Sequence, residues 1–319
     1  MITFAEPRFH VEGWSPEYGT PLETDDTMPS PEDVVLDVET TDWRPMPGRL
    51  DPPEPKTVAF VDGVRRIDAR LTLDDPFTGP VPGLCGSFGA GAVVWDREKR
   101  HSAVAAESVR RLAVLSEGRG DQFPNVGLGL RYTTDAIPGR DPGDLVQLLQ
   151  NHMRNEEGRL AVRLAEAGHL VIADGTIKAL EARPIVGYIK RHFRTYLPNE
   201  ESNVIRQLSA GERTPLFAYD VEGYERYSWY LRLAELAGGH SWTGVVRCET
   251  MATLPLGTAI RLADQSAALL PQVASEPHRD PRAPQNLVPI GALEQHLRRL
   301  LGDPGLVYRA LREALHGNG

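Results

Sequence analysis

The stretch TVAFVDGVRRIDARLTL, residues 57–73, decides how this chain is read. Its first part is a short apolar run closed by Asp62-Gly63, and its second, from Val64, alternates apolar and polar residues. Such a pair predicts two antiparallel strands joined at Asp-Gly, where glycine tolerates the positive φ of a two-residue hairpin turn. GSFGAGAVVWDRE predicts a third strand, its glycines permitting close approach, and SVRRLAVLS a fourth. Hairpin-linked strands at the head of a domain point to a mixed sheet rather than a doubly wound one.

Downstream, Asp141-Pro142-Gly143-Asp144 carries the signals of a helix start, and Leu145, Val146, Leu149, Met153, Leu160 and Leu164 share one face of the helix that follows. The helix should stop near Gly168. HLVIADG then predicts a core strand, ARPIVGYIKRHF another, and PLFAYDV, RYSWYLRLAE and WTGVVRCET the second half of the sheet. The tail from Ile290 to His316 predicts two helices split by Gly302-Asp303-Pro304-Gly305. Upstream, residues 1–55 are acidic and broken by prolines (PSPED, RPMPG, DPPEP), an irregular arm with one short strand at VVLDV.

Chemistry enters with two matching aspartates. Asp62 closes VAFV and Asp174 closes LVIA, and a glycine follows each. A carboxylate at the end of a buried strand is held firmly, and the glycine lets a ligand approach. Two of them on neighbouring strands can share a hard divalent cation, which prefers oxygen. Two-metal nucleases use three or four such carboxylates. Glu156 and Glu157, on the helix between the aspartates, supply a third, with Glu157 nearer the centre of the apolar stripe. Each residue also has an ordinary reading: Asp-Gly is a common turn dipeptide, a glutamate beside a buried stripe is usually solvated, and Asp68 fits a surface position.

Bulk properties narrow the class. The chain has 319 residues, 41% hydrophobic and 25% charged, as in ordinary globular proteins. No apolar run approaches the roughly 20 residues of a membrane span. The opening MITFAEPRFHVEGW lacks a basic segment followed by an apolar one, so a cytoplasmic setting is expected. Cys85 and Cys248 lie far apart and read as buried free thiols, and the scattered histidines show no zinc spacing. A formal charge of -9 looks wrong for a partner of nucleic acid until it is mapped. Residues 21–55 hold ten acids against Arg44 and Arg49, a balance of -8, which leaves the rest near -1. A local basic cluster such as Arg183, Lys190, Arg191, His192 and Arg194 can still meet a polyanion.

Taken in order, VAFVDGVRRID, the acidic helix, LVIADG, IVGYIKRHFRTYLP, GERTPLF, SWYLRL and GVVRCE resemble the motifs of NurA-domain proteins over roughly residues 57–316. The resemblance implies an α/β fold whose ribonuclease-H-like mixed sheet, antiparallel hairpin strands plus parallel ones, is flanked by helices. It divides the chain into an arm, 1–55, and a NurA-like nuclease domain with C-terminal helices, 56–319. It implies an Mn²⁺-dependent DNA endo- and exonuclease, with Mg²⁺ as the alternative ion, acting in end resection and repair. The family forms homodimers that dock on a hexameric HerA-type ATPase. By motif, Asp62, Glu157 and Asp174 would be metal ligands and catalytic groups, and Lys190 would approach a phosphate oxygen. Arg65, Arg66, Lys190 and Arg191 would meet DNA, although one of Arg65 and Arg66 must face away on an alternating strand.

The chain departs from the family pattern at its C-terminal motif, a tyrosine-proline pair followed by a histidine. In DPRAPQNLVPIGALEQHLRR, alignment on Pro289 puts His296 at the histidine, and alignment on Asn286 puts Glu294 there. Glu294 lies nearer the face of Ile290, Leu293, Leu297 and Leu301 and is the favoured fourth ligand; Asp280 is a third option. Two other readings stand beside the nuclease. One is a non-catalytic subunit of the same family that binds DNA or a partner. The other is an ATPase of the actin or sugar-kinase kind, which needs two copies of the core where one is found. No GxxxxGK[ST] occurs, so ATP-driven movement would come from a partner.

Overall fold

A computed structural model describes residues 8–11, 34–52, 54–77, 79–120, 123–177, 183–190, 196–221, 223–236, 241–280 and 282–316. The first half of the chain contributes β1 (Arg8–Val11), β2 (Met46–Pro47), β3 (Thr57–Asp75), β4 (Gly79–Asp96), β5 (His101–Leu115), β6 (Thr133–Ala136) and α1 (Pro142–Glu166). Next come β7 (Leu170–Asp174), β8 (Ile185–Ile189), α2 (Asn199–Gln207) and β9 (Glu212–Arg213). The remainder is β10 (Phe217–Val221), β11 (Tyr224–Arg232), β12 (Val245–Met251), α3 (Leu256–Leu269), α4 (Val288–Leu300) and α5 (Pro304–His316).

All the strands belong to one sheet, whose main path runs β2-β9-β11-β12-β8-β7-β3-β4-β5-β6. Its centre, β5-β4-β3-β7-β8, has β3, β4 and β5 antiparallel and β3, β7 and β8 parallel. That is the 3-2-1-4-5 order of a ribonuclease-H-like core, with helices on both faces.

One local expectation is overturned. Asp62-Gly63 is not a turn: β3 runs unbroken from Thr57 to Asp75, and β4 pairs with it from Asp96 back to Gly79. Gly63 has no positive φ. The hairpin turn lies at the other end, between Asp75 and Gly79. The two strands predicted from residues 57–73 are therefore one, and its far half is held by the long partner β4. A register shift between Ile67 and Ala69 reverses which side chains face which way, so a single strand serves three helices. Ala59 and Val61 pack toward Leu160 and Ala161 of α1, Val58 and Phe60 toward α3 and Ile290 of α4, and Leu71 and Leu73 toward Val307 and Leu311 of α5.

Helix α1 begins as its sequence predicts. The Asp141 side chain accepts a hydrogen bond from Gly143 N at 2.7 Å, Pro142 occupies the first turn, and the chain leaves the helix at Gly168 with φ +88°. Of the predicted stripe, Leu145, Val146, Leu149, Met153 and Leu160 are buried and Leu164 is half-buried. Helices α2 and α3 occupy stretches for which no element is predicted. Cys85 and Cys248 are buried free thiols. Among the described residues no helix is long and apolar enough to cross a membrane.

Residues 34–52 lie against the second half of the sheet. Val34, Leu36 and Trp43 pack on the cluster around Phe217, Tyr219 and Tyr230, and Val35 forms a bridge with Ala218. Glu39 grips the fully buried Arg213 through two 2.8 Å bonds, while Asp264 of α3 takes the same guanidinium from another side.

Candidate metal centre

The edge of β3 that faces β7 explains where the acids meet. On that edge β3 pairs with β7 from Val58 to Val61 and with β1 from Leu71 to Asp74. Asp62 is the first residue past the paired segment, and Asp174, the last residue of β7, lies beside it. Their side chains point to the α4 face. From α4, with Leu293 and Leu297 buried against Val64 and Val93, Glu294 projects to the same spot. One oxygen from each of Asp62, Asp174 and Glu294 lies within 4.8 Å of the others.

Glu157 arrives from the opposite face. It belongs to α1, and its carboxylate abuts Gly63, where an added Cβ would overlap Glu157 Oε1 and crowd Met153 Cγ. Gly63 is thus needed for close approach rather than for a turn. Glu157 stands outside the tight triad but near enough that its charge acts on Asp62.

Two cations serve the triad. Lys190, just beyond β8, donates to Asp174 Oδ2 at 2.5 Å and to Asn286 Oδ1 at 3.0 Å. Asn286 in turn donates to Asp280 Oδ2 at 2.5 Å. Arg282 donates to both oxygens of Glu294 at 3.1 Å and lies 3.4 Å from Asp280 Oδ1. The balance remains unfavourable. Burial pushes the Asp62 carboxyl well above the usual carboxylate range, the charges of Asp174, Glu157 and Glu294 add to this, and Lys190 opposes it. Burial also raises Asp174, against Lys190 and Arg282 and with Glu294.

The other expected residues separate clearly. Successive helical residues turn by about 100°, so Glu294 and His296 cannot aim at one point. His296 pairs with Glu107 of β5. Glu107 lies opposite Gly91, which lies opposite Asp62, two strand spacings and roughly 10 Å from the triad's row. Asp280 is engaged with Asn286 and Arg282 rather than grouped with the triad. Arg65 donates to Gln150 of α1 at 2.6 Å on the Glu157 side. Arg66 points the other way, to Asp68 at 2.9 Å and to the carbonyls of Leu301 and Gly302, where it closes the end of α4. Asp68 is not at the surface: it is buried and receives bonds from Arg66, Tyr132 and Ser87. Arg191, with His192 and Arg194, lies outside the described residues.

Arg282 and Asn286 escaped the sequence reading as site residues. An arginine twelve positions before its carboxylate partner carries no periodic signal, because the contact depends on the fold of the loop before α4.

These residues fit a hard divalent cation. The donors are all carboxylate oxygens, they come from three separate elements, and they converge in a buried setting where their mutual repulsion is only partly offset.

Comparison with known proteins follows the same lines. A model of the NurA domain matches residues 56–290. No curated protein matches the chain. Among solved structures, the catalytic domain of human endonuclease V is similar at 17% identity, over 78% of this chain and 85% of that one, with a TM-score of 0.31. A likeness that weak carries no argument about site or substrate.

Proposed function

This chain belongs to the NurA-domain family, and from that membership we propose that it hydrolyses DNA phosphodiesters with a divalent cation held by Asp62, Asp174 and Glu294. The family makes it a nuclease; the ion, the substrate and the partners are the proposal. The observation that carries it is the convergence of three carboxylates from β3, β7 and α4 within 4.8 Å.

A bound Mn²⁺ or Mg²⁺ would supply Lewis acidity toward a phosphate oxygen and lower the pKa of water. The protein's own groups provide the rest. Asp62 is fixed by its place on a strand paired along its whole length with β4, and its Oδ1 accepts from Gly63 N at 2.7 Å. Asp174 is oriented by Lys190, whose ammonium, anchored also on Asn286, offers positive charge to a phosphate at the same site. Glu157, behind Gly63, would accept a proton on the α1 side of the edge in this reading. The same reading extends to end resection as a homodimer with a HerA-type hexameric ATPase, and its support is the family.

The test is degradation of linear single- and double-stranded DNA with Mn²⁺, beside Asp62→Ala. Cleavage by the wild type that falls by about 10²-fold or more in the variant is expected. Bound but intact DNA would instead favour the non-catalytic subunit, which the position of His296 against Glu107 recommends as the second reading.

A further inference from the structure

The two cations at the triad are not equivalent. Lys190 is largely enclosed, its side chain 17% exposed, and it is held between Asp174 and Asn286. The Arg282 side chain is 50% exposed. It stands at the mouth, its guanidinium spread across both oxygens of Glu294 and reaching Asp280. Those two Glu294 oxygens include the one that would meet a cation shared with Asp62 and Asp174. A guanidinium that holds both oxygens competes with a divalent cation for the charge of the same carboxylate. A guanidinium also accepts a phosphate through the same two-pronged geometry as a carboxylate.

We propose that Arg282 occupies Glu294 in the free protein, yields it to the divalent cation, and then binds a phosphate of the substrate DNA at the mouth of the site. The proposal rests on the nuclease reading above. It gives Arg282 two tasks: neutralising Glu294 while the site is empty of cation, and drawing the substrate backbone toward the triad once Glu294 is taken. Asp280 serves as its second anchor, with the backbone of Arg282 donating to Asp280 Oδ1 at 2.8 Å, so the arm that carries the guanidinium stays in place while its tip changes partner.

The experiment uses the full chain and reads binding rather than turnover. Mn²⁺ affinity is measured by calorimetry without DNA, for wild type, Arg282→Gln and Arg282→Lys, with thermal melts to verify folding. DNA affinity is then measured in Ca²⁺ by fluorescence anisotropy. Removing a competitor that is worth only what a half-exposed ion pair is worth should tighten Mn²⁺ binding by about two- to fivefold in Arg282→Gln. DNA binding should weaken about threefold or more, with Arg282→Lys in between because it keeps the charge and loses the fork. Mn²⁺ affinity that is unchanged or weaker in Arg282→Gln overturns the proposal, since an arginine that merely orients Glu294 would have that effect. Tighter Mn²⁺ binding with DNA affinity unchanged overturns it as well. A wild type that binds no Mn²⁺ overturns the nuclease reading and this proposal together, whereas a wild type that binds it with indifferent variants overturns this proposal alone.

Discussion

Asp62 shows how much a single residue can disclose and where its neighbours must be consulted. Its apolar run and following glycine mark a firmly held carboxylate, and Asp174 repeats the context, so both were legible without coordinates. The reason given for Asp62 changes: what ends there is the pairing with β7, while β3 itself continues. Glu294 over His296 was legible only in part, through the helix face it shares with Leu293 and Leu297. Arg282 was not legible at all. The crowding has a measurable consequence. Because burial and the nearby acids raise the folded-state pKa of Asp62, the metal-free fold binds a proton there more tightly than the unfolded chain does. Stability from this group is therefore full below the ordinary carboxylate pKa and is lost as pH rises through the raised one. Asp62→Asn keeps the acceptor for Gly63 N and removes the charge. In EDTA at pH 7 to 8 it should melt a few degrees above wild type, a gain of about 0.5–2 kcal/mol that shrinks toward pH 4. A variant no more stable than wild type at neutral pH would show that the triad is relaxed without metal.

At the scale of elements, the sequence discloses α1 through its capping Asp141 and apolar stripe, and α4 and α5 through the break at residues 302–305. The hairpin expected at Asp62-Gly63 failed because local turn chemistry lost to long-range pairing: β4 supplies a partner for every part of β3, and a turn would have forfeited those bonds. The segment 34–52 carries a similar lesson. Its prolines and acids suggest an irregular arm, yet Glu39 takes two nitrogens of Arg213, which stands on β9 and is completely buried against α3. Composition cannot reveal that one acid among ten has a buried partner 174 residues away. Removing it strands a buried guanidinium with Asp264 as its remaining carboxylate. Glu39→Ala should cost about 3–5 kcal/mol, as breaking a buried ion pair does. Thermal melting should fall on the order of 10 °C. A loss under ~1 kcal/mol, the ordinary worth of a surface pair, would mean the segment contributes little to the fold.

For the whole molecule the question is how a chain of charge -9 would hold the polyanion proposed as its substrate. The segment that supplies the excess does not behave as one piece: Glu39 is spent on Arg213, and part of the charge after Val34 is therefore already structural. Upstream of it, between β1 and Val34, the sequence carries Glu12, Glu17, Glu23, Asp25, Asp26, Glu32 and Asp33 and no lysine or arginine. Replacing those seven by their amides takes the formal charge from -9 to -2 and leaves β1 and the residues from Val34 onward intact. If these acids screen the DNA-binding face, the amide variant should bind DNA roughly two- to tenfold tighter at low salt, and the advantage should fade as ionic strength shortens the reach of the field. Titrations by fluorescence anisotropy at about 50 and 200 mM salt separate this from a direct contact, because screening by distant charge disappears with salt while a lost contact persists. Equal affinities at low salt would assign the acids to something other than shielding.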